Sequence, residues 1–461
     1  MLNHPAFADF AVWLVGILLS PLVPLSGEAA GWWACNGIAY DQEIRIARSK
    51  GEPVTLEEME AFYPTSPEIE RTTKFWLEAI AEARAADDTA RKSLPFAGVA
   101  EPEVDAQGNL TGAQLTKAEA WLAKRSDEFK LVREARRAGA VARYPAEFEK
   151  LIWANNDYLK GLRLVAGDLS LAAEVHLSRG DTNAAVDDVL SILATAESLR
   201  NEPLLLPQLV RIALVGMGWE ATKGILDRGS ATDVQLHTLQ RAWAAMEFLE
   251  SNRRSLIGER FTLERLTIDP PPEAGRDGNV MRRRWASRID AGQSMAFFRR
   301  LIDGTTGDFH QAQEAYGDFE VAIENFMVRK QPFLIYLYIN TAMQLPALQV
   351  GFSASCRAQS EAALAETSLA CERFRRAEGR WPQTLAELVP QYLAEVPLDA
   401  QGDDRLSYRP DGDDAIVYSF GFDQKDDGGR GHSTFSRNGR EVEDRSTYDM
   451  IYRLTDKTTR D

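Results

Sequence analysis

The C-terminal stretch YSFGFDQKDDGGRG places three carboxylates, Asp423, Asp426 and Asp427, directly after a β-like run and before Gly428 and Gly429. Ca²⁺ takes roughly 6 to 8 oxygen ligands and mixes carboxylates with backbone carbonyls, which suits a loop where a strand ends and acids cluster. The three aspartates would supply carboxylates and Ser419 a hydroxyl or carbonyl oxygen, while the glycines let the chain curl around the ion. It is not an EF-hand, because the twelfth position counted from Asp423 is Thr434 rather than Glu. The competing reading is a plain acidic surface turn.

Other constellations carry less chemistry. Gly216 to Ala221, GMGWEA, imitates the glycine fingerprint of dinucleotide sites, which requires a strand before it and a βαβ unit around it. Leu206, Val210, Ala213, Met217 and Ala221 instead recur at steps of three and four, which predicts a helix running through the glycines. His4, His176, His237, His310 and His432 have no zinc-like spacing. RFTLERL, from Arg260, echoes a prepilin cleavage motif but is internal and meets prolines. The basic cluster MRRRWASR, with Arg299 and Arg300 beyond it, reads either as a phosphate or headgroup patch or as a helix face pairing with acids. Cys356 and Cys371 fall in one predicted helix, about 22 Å apart at 1.5 Å per residue, too far for a disulfide.

The elements that must position these residues are mainly helical. Thr55 and Glu58 form a capping-box pattern ahead of EEMEAF, YPTSPE breaks the chain, and a second helix surrounds KFWLEAIAEA. From about Leu115 to Leu266 the pattern stays helical. Leu171 to Leu199 reads as helix, Gly-Asp turn, helix, with Ala172, Ala173, Ala184 and Ala185 small enough for close approach, as in a single tetratricopeptide-type repeat. No fixed period follows, so the expected fold is mainly α, an irregular helical-hairpin, tetratricopeptide-like array, with a small C-terminal α+β module. Three prolines in IDPPPEAGRDGNV mark an internal break. The expected units are a signal or anchor segment at 1–39, a helical domain at 40–267, a linker at 268–280, further helices at 281–352, the α+β module at 353–440 and a tail at 441–461.

Composition narrows the function classes. The chain has 461 residues, and 69 acidic against 53 basic side chains give a formal charge of −16. Such a charge repels nucleic acid, which is not expected as a partner. FAVWLVGILLSPLVPL, from Phe10 to Leu25, is the one strongly apolar run; it is short for a spanning helix and suits a signal core or an anchor, with a buried N-terminal helix as the alternative. Cell-envelope localisation, exported or held at the inner membrane, is expected on this basis, with a cytoplasmic location as the other reading.

The tail from Cys371 to Gly429 resembles the C-terminal globular part of type II secretion major pseudopilins. The matching residues are Arg376, Gly379, Arg380, Pro382, Leu385, Leu388, Pro397, Asp399, Gly402, Tyr408, Tyr418, Ser419, Gly421 and Asp423, while Ala400 stands where that family's turn carries proline. The resemblance implies a helix leading to a small sheet and a Ca²⁺ loop, as found on larger bacterial envelope proteins. The expected function is a non-enzymatic envelope scaffold or interaction protein with a structural Ca²⁺ site and other envelope proteins as partners. The alternatives are an accessory subunit of a type II secretion-like apparatus, and a hydrolase or nucleotide-dependent enzyme.

Overall fold

A computed structural model describes residues 39–269, 284–329, 339–402, 404–421, 423–430, 433–437, 440–444 and 449–455. The expected signal or anchor segment, Cys35 and most of the proline-rich break lie outside these residues. In chain order the helices are α1 (39–49), α2 (Leu56–Phe62), α3 (Pro67–Ala85), α4 (Asp88–Lys92), α5 (Gly112–Leu122), α6 (Ser126–Arg137), α7 (Asp157–Ser178) and α8 (Thr182–Glu197). They continue as α9 (Leu205–Arg228), α10 (Asp233–Ala244), α11 (Leu249–Ile268), α12 (Arg284–Gly304), α13 (Phe309–Arg329) and α14 (Ile339–Glu378). The protein is thus mainly helical, with a small antiparallel sheet near the C-terminus.

Local chemistry sets the helix starts. The Thr55 hydroxyl accepts from the Glu58 N–H at 3.2 Å while Glu58 accepts from the Thr55 N–H at 2.9 Å, closing the expected capping box. Ser66 caps α3 with Pro67 at its first position, where a missing N–H costs nothing. Between α7 and α8 the chain turns at Gly180, whose φ of +75° is left-handed, and Asp181 caps α8 by accepting from Ala184 N–H at 3.0 Å. This is the expected helical hairpin, and Ala172, Ala173 and Ala185 are buried within it.

Packing then gathers the helices into cores. The largest runs from Trp76 in α3 through α7, α8, α9 and α10 to Ala358–Phe374 in α14, and it includes Ala415, Val417, Met450, Tyr452 and Leu454 of the sheet. A second core joins α11, α12, α13 and the first half of α14 around Phe298, Leu301, Tyr316 and Phe352. Helix α14 belongs to both cores.

The sheet has strands β1 (Ser407–Asp411) and β2 (Asp414–Ser419), followed by β3 (Ser433–Arg437), β4 (Arg440–Asp444) and β5 (Met450–Leu454). Three strands pair antiparallel in the order β1-β2-β5, with Tyr408 opposite Val417 and Val417 opposite Tyr452. The hairpin β3-β4 pairs separately, with Phe435 opposite Val442. The module boundary expected at residue 353 falls inside continuous α14, and β5, at one edge of the sheet, lies within the stretch expected as a tail.

Candidate metal centre

Gly379, Pro382, Asp399, Tyr408 and Ser419 hold the tail in place. Gly379 ends α14 in the left-handed conformation, with φ of +71°, and Tyr408 donates its hydroxyl to the Pro382 carbonyl at 2.7 Å. Asp399, 6% exposed, is the hub. Its Oδ1 accepts from the Ser360 hydroxyl of α14 at 2.8 Å, from the Ser419 hydroxyl at 2.8 Å and from the Gln401 N–H at 3.0 Å, while Oδ2 accepts from the Phe420 N–H at 2.9 Å. One buried carboxylate therefore ties the long helix, the end of β2 and the connecting loop together. Four charge-assisted bonds offset the desolvation of that charge.

The acidic loop begins immediately beyond. Asp423 accepts from the Lys425 N–H at 3.2 Å and Asp426 from the Gly428 N–H at 2.7 Å, so each acid folds a short turn on itself. Gly428 and Gly429 both have φ of +73°, a conformation a β-carbon disfavours. The turn wraps around Asp449, a fully buried aspartate just before β5. Asp449 Oδ1 accepts from the Asp427 N–H at 3.3 Å and Oδ2 from the Gly429 N–H at 2.7 Å. Burial raises the Asp449 carboxyl above its ordinary range; the two backbone N–H groups pull it down, and the charges of Asp426 and Asp427 push it up again.

Of the four residues expected to bind Ca²⁺, Asp426 and Asp427 thus share one electrostatic neighbourhood, with Asp449 as an additional acid. Asp423 sits earlier in the turn, beside Lys425 at 4.0 Å. Ser419 is fully buried and its hydroxyl donates to Asp399, so its side chain serves the hub rather than the loop. Among the described residues no group of three or more His, Cys, Asp or Glu side chains is arranged as a metal cage. The carboxylates fit a divalent cation by charge. In this arrangement, however, backbone N–H groups satisfy Asp449, and a Ca²⁺ shell would need carbonyls turned toward the ion. Sequence reasoning missed Asp449 because it lies 22 residues beyond Asp427. Its only local signal is an aspartate set directly against the strand MIYRL.

The other motifs resolve structurally. GMGWEA lies inside α9, so the strand and turn that a dinucleotide fingerprint needs are replaced by continuous helix. A β-carbon at Gly218 would come within 2.7 Å of Leu193 Cδ2, so that glycine lets α9 approach α8. Trp219 packs edge-on against Trp243 at 6.3 Å and Tyr452 of β5 at 5.3 Å. In the basic cluster, Arg288 pairs with Asp41 and Arg299 with Glu43, clamping α12 to α1. RFTLERL is part of α11, and buried Cys356 and Cys371 are unpaired on α14, their thiols pushed up by burial.

A cavity of about 430 Å³ lies between α13 and α14, beside the acidic loop. Its walls include His310, Glu314 and Glu320 from α13, Gln349, Phe352 and Cys356 from α14, and Gln401. Burial pushes the Cys356 thiol up, which disfavours the thiolate.

Among the described residues no helix is long and apolar enough to cross a membrane. No protein-family model, no curated protein and no solved structure matches the chain.

Proposed function

We propose that the chain is a non-enzymatic, envelope-associated interaction scaffold whose C-terminal loop takes Ca²⁺ as a structural ion. The observation that supports this reading is Asp449: a buried carboxylate held beside Asp426 and Asp427, whose charges act against its ionisation. A divalent cation at this place neutralises repelling carboxylates and fixes the turn, and its binding energy becomes folding energy. Asp426, Asp427 and Asp449 would hold the ion, with Asp423 at the rim. The helical hairpins, read as a tetratricopeptide-like array, would offer the surface to other envelope proteins. The apolar run from Phe10 to Leu25 would direct the chain to the membrane. The pseudopilin-like tail favours a second reading, an accessory subunit of a type II secretion-like apparatus.

Thermal unfolding of the full chain with Ca²⁺ and with a chelator tests the first reading. The full chain is needed because the sheet shares its core with α9 and α10. At 100 times its dissociation constant a bound ion stabilises by about 2.7 kcal/mol. The expected result is therefore a midpoint several degrees higher in Ca²⁺, with the gain removed by Asp449→Asn. An identical midpoint in both buffers would reduce the loop to an acidic turn.

A further inference from the structure

The cavity between α13 and α14 carries a feature that packing alone does not account for. Gln401 is 6% exposed and lines it, yet its Oε1 has no hydrogen-bond partner. Gln349, on the α14 wall, likewise has an unpartnered Oε1. A buried acceptor without a donor is costly, and native structures leave few of them. The backbone of Gln401 is fixed by the Asp399 hub, and Gln313 is fixed by donating to the Ala400 carbonyl at 2.7 Å. Both oxygens are sealed from solvent in this arrangement, and the terminal torsion of a glutamine is soft, so rotation about it is the step that would present Oε1 to the cavity.

The charge of the walls says what would enter. Glu314 and Glu320 stand exposed at the mouth, and the described lining residues include neither Lys nor Arg. Behind the mouth, the rings of Tyr316 and Phe352 are stacked 3.9 Å apart. The volume is in the range of small-molecule sites and far above the roughly 30 Å³ share of one water. We infer that this cavity is a binding site for a small organic ammonium ion, a primary amine or short diamine. Its N–H donors bond Gln401 Oε1 and Gln349 Oε1 while Glu314 and Glu320 balance its charge. An ammonium group has three donors and no acceptor, which complements a set of acceptor oxygens. The site borders the proposed calcium loop through Gly421 and Gln424, but its acids are on α13 and the loop's are beyond β2.

The test is titration calorimetry on the full chain at fixed Ca²⁺ and ionic strength, with butylamine and 1,4-diaminobutane as probes and butyrate and 1,4-butanediol as controls. The expected result is one amine bound per chain, with neither control binding. Gln401→Leu should weaken amine binding tenfold to a hundredfold, the range for a lost hydrogen bond to a charged group. Because Glu314 and Glu320 are exposed, the double variant Glu314→Gln/Glu320→Gln keeps the fold and should weaken binding and flatten its salt dependence. Three results would each overturn the proposal: no amine heat at millimolar concentration, equal binding of butanediol, or an unchanged affinity in the double variant. In the ligand-free chain Gln401→Leu should raise the unfolding midpoint, since it removes an orphaned acceptor. A fall would show that the oxygen has a partner and would remove the premise.

Discussion

Two groups of acids meet in this molecule, and they are kept in opposite ways. In the helical part, Asp168 of α7 and Glu128 of α6 are both sealed from solvent, at 0% and 1% exposure, and guanidinium groups stand beside them. Arg91 reaches Asp168 at 3.0 Å, Arg125 lies 3.8 Å from Glu128, and the Trp121 indole donates to Asp168 at 3.0 Å. In the C-terminal loop, the described residues meet Asp449 with backbone N–H groups, against the charges of Asp426 and Asp427. The first cluster carries its counter-charges in its own side chains. The second leaves its excess negative charge to be met from outside, and that contrast directs the calcium proposal to the loop.

The sharpest way to break the contrast is to remove a counter-charge from the helical cluster. Arg91→Met strands buried Asp168 without its nearest guanidinium and should cost about 3–5 kcal/mol, read as a fall in the denaturant midpoint at neutral pH. No loss would mean that the pair is not the stabilising partner its geometry indicates.

Next comes pH. Burial is the largest influence on Glu128 and the Asp168 charge adds to it; Arg125 and Arg91 oppose them, Glu82 adds a little, and the carboxyl is pushed up to about 9. A carboxyl raised in the folded state favours folding fully below its unfolded value, near 4.5, and loses that contribution as pH rises toward 9. Stability should therefore decline from mildly acidic to alkaline pH. Glu128→Gln, neutral throughout, should flatten the decline across that window. Parallel pH profiles for the two proteins would show that Glu128 is not the group responsible.

A smaller effect is expected at the loop. Without Ca²⁺, Asp449→Asn relieves the repulsion from Asp426 and Asp427 but weakens the bonds to the Asp427 and Gly429 N–H groups, so its stability should stay within about 1 kcal/mol of wild type. Its mark is the lost response to Ca²⁺, measured by melting in both buffers. The smallest is Asp423→Asn in chelator, about 0.5 kcal/mol or less, because its lysine neighbour at 4.0 Å is exposed. A large loss there would move the centre of the loop from Asp449 to Asp423.

Much of this arrangement was legible in the sequence wherever the cause is local. Thr55 and Glu58 announced a helix start, the three-and-four spacing through Gly216 to Ala221 announced a helix, and β-like runs around Asp-rich turns announced the small sheet. What could not be read depends on partners far along the chain. Asp399 looked like a turn residue, yet it joins Ser360 and Ser419, 39 positions before and 20 after it. Ser419 looked like an oxygen donor to a metal, but the hydroxyl of a serine goes wherever the nearest buried acceptor is. Trp219, within GMGWEA, seats β5 on α9 through its ring contact with Tyr452. Glu128 and Asp168 gave no signal, because nothing in one sequence tells a solvated acid from a buried one.

Helix α14, 40 residues long, spans about 60 Å at 1.5 Å per residue and packs on α9, α10, α11, α12, β2 and β5. In mechanical terms it is a shaft set in two bearings. Tension applied at the C-terminus passes through β5 and β2 into that shaft, and from there into both cores together. A pulling experiment should then record one large rupture, without a separate early release of the C-terminal sheet.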